Sequence, residues 1–265
     1  MMSIFQRAGR ILTFSILGAS ALAAVGCGSS QERSWTLAAP AAEAFSDGPA
    51  IDIENHRGSV EVRVEPWRSD VNVSFRTTIA GDHSGDRARS IREGMNYDAG
   101  SNAADGPPVI TIRALTAVPD DTDHSTRILV RMPACGGVRV RNAGGPVLIV
   151  GAGGAMQVEN ADGSVEVRTD RVIDAPALLT TTKGNVRWQI PLASRAAFDA
   201  ETGDGVIVID NAAPGQNDWS ATWSGPRKVA GTLNSGQNAV SLRTLEGDIR
   251  VILLKDPFGR VGLIR

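Results

Sequence analysis

Apolar positions along this chain recur around glycines. Gly163, Gly184 and Gly205 stand 21 residues apart, Gly247 lies 42 residues further on, and Gly58 and Gly145 head units of the same pattern. Two residues after each glycine come Val60, Val147, Val165, Val186, Ile207 and Ile249, and four after it Val62, Ile149, Val167, Trp188, Ile209 and Val251. A spacing of two puts both residues on one face of a strand. Each unit therefore buries an inward pair, worth roughly 1.5–3 kcal/mol per side chain. Five residues before each glycine are Ile53, Val140, Val158, Leu179, Ala200 and Leu242, and seven before it Ile51, Val138, Met156, Ala177, Phe198 and Val240. A second short strand thus precedes each turn.

The third residue before each glycine is always Asn or Thr: Asn55, Asn142, Asn160, Thr181, Thr202 and Thr244. In stacked units these side chains predict a polar ladder that hydrogen-bonds between coils and sets register. Directly before the glycine come Asp162, Lys183, Asp204 and Glu246, which puts opposite charges on adjacent coils for the first three. Such exposed pairs contribute about 0–1 kcal/mol and read as a solvated edge.

A unit of roughly 21 residues is too long for one hairpin and matches one coil of a β-solenoid or a stacked β-prism-like repeat. The expected fold is all-β, one domain over residues 49–254, with a tail at 255–265. The coil due near position 226 (Gly225-Pro226-Arg227-Lys228) lacks an inward pair and is expected to bulge into a loop. Further alternating strands are predicted at 71–79, 109–115 and 127–132. Residues 81–107 are polar, rich in Gly and Asp, and read as an insertion with a short helix near Ala88–Glu93.

Composition supports a folded β chain: 29 glycines with 5% aromatics suit tight turns and small-residue packing. A net charge of −2 gives no field to recruit nucleic acid. The two cysteines, Cys27 and Cys135, offer no disulfide framework, and Cys135 reads as a small buried hydrophobe.

The N-terminus reads as an export signal over residues 1–26. Arg7 and Arg10 precede an apolar run from Ile11 to Val25, shorter than the ~20 residues of a spanning helix. It ends Leu22-Ala23-Ala24-Val25-Gly26-Cys27, which resembles the bacterial lipobox, with Ala24 where Leu is usual. The resemblance implies that Cys27 is acylated and begins the mature protein. Gly28 at the next position, where Asp often retains lipoproteins in the inner membrane, favours the outer membrane. Residues 27–48 then read as a tether. Ordinary cleavage near Ala21-Leu22-Ala23, leaving a periplasmic or secreted protein, is the alternative.

Units such as Asp162-Gly163-Ser164-Val165-Glu166-Val167 and Glu246-Gly247-Asp248-Ile249-Arg250-Val251 resemble those of the bacterial putative-adhesin domain family, over about residues 49–254. The resemblance implies a β-solenoid-like fold on exported or membrane-attached proteins and supplies no functional residues.

Sites of specific chemistry are sparse. Val147 to Met156 begins like a dinucleotide-binding turn, but Met156 takes the third glycine position and a strand pattern follows where a helix must start. His56, His83 and His124 lack metal-ligand spacing and read as solvated loop residues. Asp120, Asp121 and Asp123 fail the EF-hand pattern, and no G-x-S-x-G elbow occurs. No metal or cofactor is expected. Trp219 and Trp223, four apart, would share a strand face and offer a glycan contact, or else pack within the irregular coil. The sequence therefore predicts a non-enzymatic, lipid-anchored envelope protein presenting a repetitive surface for adhesion, scaffolding or sensing to a protein or polysaccharide partner. Its alternative is a carbohydrate-binding or carbohydrate-active β-helix, as a lyase or hydrolase.

Overall fold

A computed structural model describes residues 30–38, 48–80, 85–102, 108–117, 124–212 and 215–258. Strands β1 (Ser30–Ala38), β2 (Ala50–Asn55), β3 (Val60–Val64) and β4 (Asp70–Ile79) come first, followed by helix α1 (Asp86–Gly94). The chain continues with β5 (Met95–Asn102), β6 (Val109–Thr116), β7 (His124–Met132), β8 (Gly137–Asn142), β9 (Val147–Val150), β10 (Ala155–Asp162) and β11 (Val165–Arg168). It closes with β12 (Ala177–Lys183), β13 (Val186–Pro191), β14 (Ala196–Asp204), β15 (Ile207–Asn211), β16 (Trp219–Ser224), β17 (Lys228–Leu233), β18 (Ala239–Glu246) and β19 (Ile249–Leu254).

These strands form two sheets. Sheet A has the order β1-β4-β7-β3-β9-β11-β13-β19-β15, and sheet B the order β16-β17-β14-β18-β12-β10-β8-β2-β6-β5. Each glycine-centred unit gives one strand to sheet B, turns at its glycine, and gives the next strand to sheet A. Equivalent positions lie side by side in parallel strands, as in Val140↔Val158, Val158↔Leu179 and Leu179↔Leu242 in sheet B. Val62, Ile149, Val167, Trp188, Val251 and Ile209 make the matching row in sheet A. The core lies between the sheets, and the inward pairs of the units at Gly58, Gly145, Gly163, Gly184 and Gly247 are at most 3% exposed.

Order in space differs from order in sequence at both ends. The last unit (β18, β19) lies between the units of Gly184 and Gly205. The first (β2, β3) lies between β6/β7 and β8/β9. Near position 226 the structure has a hairpin in place of a coil bulging into a loop. β17 pairs antiparallel with β14 and β16 with β17. The hairpin takes the outer edge of β14, so the returning chain must enter on the inner side. Lys183 therefore stands beside Asp162 and Glu246, and Asp204 beside Glu246, which corrects the expected neighbours of Lys183.

Two segments expected to be irregular are strands. Within the supposed tether, Ser30–Ala38 pairs along its whole length with β4, and Trp35 meets Phe75 edge-on at 4.9 Å. With only Trp35 and Leu37 turned to the core among polar neighbours, the segment carries little alternation. In the supposed insertion, α1 spans the expected helix, but Met95–Asn102 pairs antiparallel with β6 at the edge of sheet B. Ala88 and Ile91 of α1 pack with Ile79 and Met95 in a small second cluster.

Candidate functional site

The glycine turns form one corner of the stack. Gly58, Gly145, Gly163, Gly184 and Gly247 all have φ between 103° and 146°. A Cβ on Gly163 would lie 2.5 Å from the Gly145 carbonyl carbon, and one on Gly184 2.5 Å from that of Gly163. Both the left-handed backbone and the close approach thus require glycine. Each glycine N–H donates to the next unit, as Gly145 N–H does to Asp162 O at 2.6 Å and Gly163 N–H to Lys183 O at 2.6 Å.

The six ladder residues are buried beside this corner. Thr181 Oγ1 donates to Gly163 O at 2.8 Å, Thr244 Oγ1 to Gly184 O at 2.8 Å, and Thr202 Oγ1 to Gly247 O at 2.7 Å. Asn160 Nδ2 donates to Gly145 O and to its own Gly163 O, and Asn142 Nδ2 donates to Asn160 Oδ1. Asn55 Nδ2 donates to Gly58 O and Thr126 O. The ladder therefore satisfies glycine carbonyls that the sheets leave unpaired at the corner, chiefly those of the neighbouring unit. These bonds tie each unit to its neighbour at the corner.

Above the corner runs an open groove of about 620 Å³, lined among others by Glu54, His56, Arg141, Ala143, Glu159 and Ala161. It opens onto the outer face of sheet B, where nine strands carry one row of side chains. In spatial order the row reads Asp98, Arg113, Glu54, Arg141, Glu159, Thr180, Arg243, Glu201, Lys228. Charge alternates along it, with Thr180 the one neutral place. Arg243 bonds Glu201 and, at 2.5 Å, Asp199, whereas Arg141 stands 3.8 Å from Glu54 and Arg113 3.7 Å. The groove end of the row is thus the more loosely paired.

Sheet A differs. Its outer row Leu129, Glu61, Leu148, Glu166, Arg187, Arg250, Val208 mixes charge with apolar groups. A hollow of about 340 Å³ on this face lies among Arg63, Arg168, Arg187, Val150 and Phe258. Glu61, 8% exposed, accepts from Arg127 at 2.5 Å and from Arg63. Burial works to raise its carboxyl, and the hydrogen bonds and charges of Arg127 and Arg63 outweigh it, leaving the group below the ordinary carboxylate range.

The structure separates the two tryptophans. A bulge between Ala221 and Trp223 shifts the pairing of β16, so Trp219 stands opposite buried Leu233 while Trp223 stands opposite Ala230 on the other face. Trp219 packs on Phe198 at 5.7 Å, and Trp223 is 61% exposed. The histidine expectation also needs correction: His124 is buried, and its ring stacks 6.1 Å from that of His56. Pairing of His124 with Ile79 across β7 and β4 draws it in. Cys135 is buried, and burial pushes its thiol up to about 12. Cys27, His83, Asp120, Asp121 and Asp123 lie outside the described residues. Among the described residues no three His, Cys, Asp or Glu side chains gather as a metal site, and no helix is long and apolar enough to cross a membrane.

Residues 132–252 match the family described as Toastrack DUF4097, a stretch holding the units of Gly145, Gly163, Gly184, Gly205 and Gly247. The chain also shares its fold with a solved structure described as a putative cell adhesion protein from Clostridium sporogenes ATCC 15579, with 8% identity, a TM-score of 0.56, and 85% of this chain and 100% of that one covered. Weaker similarity reaches a putative adhesin from Bacteroides fragilis NCTC 9343 (8% identity, TM-score 0.30, coverage 85% and 97%). It also reaches a putative lipid binding protein from Parabacteroides distasonis ATCC 8503 (8%, 0.27, 86% and 94%). No curated protein matches in sequence. The family match supports, over residues 132–252, the putative-adhesin-like domain that the glycine units predict, and the Clostridium sporogenes structure shares the fold.

Proposed function

We propose that the chain is an exported, non-enzymatic protein of the bacterial cell envelope, lipid-anchored at Cys27, whose solenoid-like stack presents its sheet faces for adhesion, scaffolding or envelope sensing. The observation that carries this is the alternating row across nine strands of sheet B. Strands repeat every ~4.7–4.9 Å, so the row offers donors and acceptors in fixed order over tens of ångströms while its net field stays small. Such a face recognises at contact a partner surface of matching pattern. An extended face of this kind suits a macromolecule better than a small substrate.

The anchor fits the start of β1. Three residue steps separate Cys27 from Ser30, a reach of at most about 11 Å, so acyl chains on Cys27 would hold the β1 end of the stack close to the bilayer. In the test, Arg141→Glu is combined with Glu159→Arg. The exchange keeps net charge but breaks the alternation, because a carboxylate at position 141 then stands beside Glu54 and Asp52, which Arg141 approaches at 3.8 and 3.9 Å, and thermal unfolding of the variant checks that the fold survives. Cells producing this variant should lose attachment that wild-type protein restores to a deletion strain; unchanged attachment sinks the adhesive role. Labelling by radiolabelled fatty acid should vanish in Cys27→Ser, and persistent label would remove the anchor.

A second reading, glycan binding, is favoured only by exposed Trp223, whose face is open to stack on a sugar. Glycan-array binding lost in Trp223→Ala would raise it.

A further inference from the structure

The outer face of sheet A has a trough along β9. That strand turns only apolar side chains outward, Leu148 and Val150, while each flanking strand turns out a carboxylate and, two residues later, an arginine: Glu61 and Arg63 on β3, Glu166 and Arg168 on β11. The register sets these level, with Leu148 between Glu61 and Glu166 and Val150 between Arg63 and Arg168. Two long guanidinium side chains thus stand on either side of a short valine, and the hollow of about 340 Å³ opens above it. Pro257 and Phe258, beyond β19, form its apolar wall, held where Phe258 N–H donates to Asp256 Oδ1 at 3.1 Å.

Two carboxylates serve four arginines here. Glu61 accepts from Arg63 and Arg127, and Glu166 accepts from Arg168 at 2.8 Å and stands 3.5 Å from Arg187. Among the described residues the cluster therefore keeps a formal excess of two positive charges, in a chain whose net charge is −2. Lys255 and Asp256, just before the apolar wall, cancel each other. The carboxylates are the more deeply set partners, with side chains 11% and 26% exposed against 46%, 43% and 45% for Arg63, Arg168 and Arg187. The excess charge consequently faces outward, into the hollow.

We propose that this hollow binds a phosphate monoester bearing an apolar group, with its phosphate between Arg63 and Arg168 and its substituent against Leu148 and Phe258. Guanidinium forks match phosphate oxygens two at a time. A monoester carries about −1.5 to −2 charges at pH 7, which meets the excess, whereas a carboxylate would meet half of it. Phe258, 42% exposed beside the arginines, gains cover from an apolar substituent and none from inorganic phosphate. The volume is at the lower end of the roughly 300–1,000 Å³ of small-molecule sites, so one headgroup-sized ligand fits. The same chemistry occurs on a lipid headgroup and on a soluble monoester. The site lies on sheet A and does not depend on the alternating row of sheet B.

By titration calorimetry, full-length protein should bind hexyl phosphate saturably and at least tenfold more tightly than hexanoate or inorganic phosphate. Arg63→Gln and Arg168→Gln should each weaken hexyl phosphate at least tenfold, while Arg89→Gln, on α1, leaves it unchanged. Phe258→Ala lies outside both sheets and so tests the site without disturbing the stack. It should weaken hexyl phosphate several-fold and leave inorganic phosphate as it was. Displacement of the probe at lower concentration by dihexanoyl phosphatidic acid than by phenyl phosphate would assign a lipid headgroup, and the reverse order a soluble monoester; either supports the site. No saturable binding, hexanoate as tight as hexyl phosphate, affinity that survives both arginine substitutions, or an equal loss in Arg89→Gln would each overturn the proposal.

Discussion

The middle of the stack and its ends solve the same problem by different means. In the middle, each unit is covered on both sides by copies of itself, so a β-branched pair, a positive-φ glycine and an Asn or Thr suffice, with alignment set by identity of position. A terminal unit has no copy to cover it. At the β1 end the answer is antiparallel strands and aromatics, with Phe75 between Trp35 at 4.9 Å and Tyr97 at 5.3 Å. At the β15 end it is a hairpin whose Trp219 packs on Phe198, and among the described residues no strand follows β15 on sheet A. A repeat can propagate but does not terminate itself, and the non-repeating parts of this chain are its terminators.

The largest test of that contrast is to put charge inside the middle. Val186 and Trp188 are fully buried, and replacing both with Asp should cost well over 5 kcal/mol and leave the chain unfolded by circular dichroism. A folded variant would mean that the inward faces are misassigned. Next comes Gly163→Ala, where left-handed backbone and collision with the Gly145 carbonyl combine for a loss of about 3 kcal/mol or more. The control is Gly215→Ala, at φ 86° but in open space, expected at about 1–2 kcal/mol by thermal unfolding. Equal losses at the two sites would show that stacking adds nothing to the demand for glycine.

The sequence reveals the middle because every unit repeats the same offsets, and for the same reason it hides the order of units. Nothing in the Gly205 and Gly247 units says which of them lies beside Gly184, since both present an apolar pair in the same register. The charged row shows the same limit. Glu54, Arg141, Glu159, Thr180, Glu201 and Arg243 all lie four residues before their glycines, a column as legible as the Asn and Thr ladder. Its meaning needed Asp98, Arg113 and Lys228, which arrive from strands outside the repeat. The terminators themselves were least legible. Ser30–Ala38 and Met95–Asn102 are edge strands with one solvated side, and their polar residues look like linker until a partner strand is known. Trp219 and Trp223 were parted by a bulge, which period-two counting does not register.

Within the ladder, Thr244→Val keeps shape and removes the hydroxyl that bonds Gly184 O at 2.8 Å. Leaving that buried carbonyl short of a donor should cost about 1–3 kcal/mol by urea unfolding. A neutral result would assign register to the apolar rows alone. Glu61, at the outer face toward the β1 end, should matter less, at about 1 kcal/mol near neutral pH. Because its folded-state carboxyl lies below the ordinary value, its stabilising effect is present above the unfolded-state pKa of about 4.3 and is lost as pH falls through the folded-state value. Glu61→Gln should therefore be less stable than wild type at pH 7 and approach it in acid. A gap that persists unchanged at pH 3 would trace the loss to packing.

The smallest effect on overall stability, and the most telling about the ends, is expected for Trp35→Ala. Among the described residues β1 is bonded to β4 alone, on one side, with its remaining side chains mostly in solvent, so its opening requires little loss from the rest of the stack. The substitution should move the global melting point by no more than a few degrees while hydrogen exchange speeds up across Ser30–Ala38 and its partner Asp70–Ile79. Exchange in Val165–Arg168, deep in the middle, should stay unchanged. If the middle strands sped up with β1, the terminator and the repeat would be one cooperative unit, and the distinction between them would be one of sequence without being one of energy.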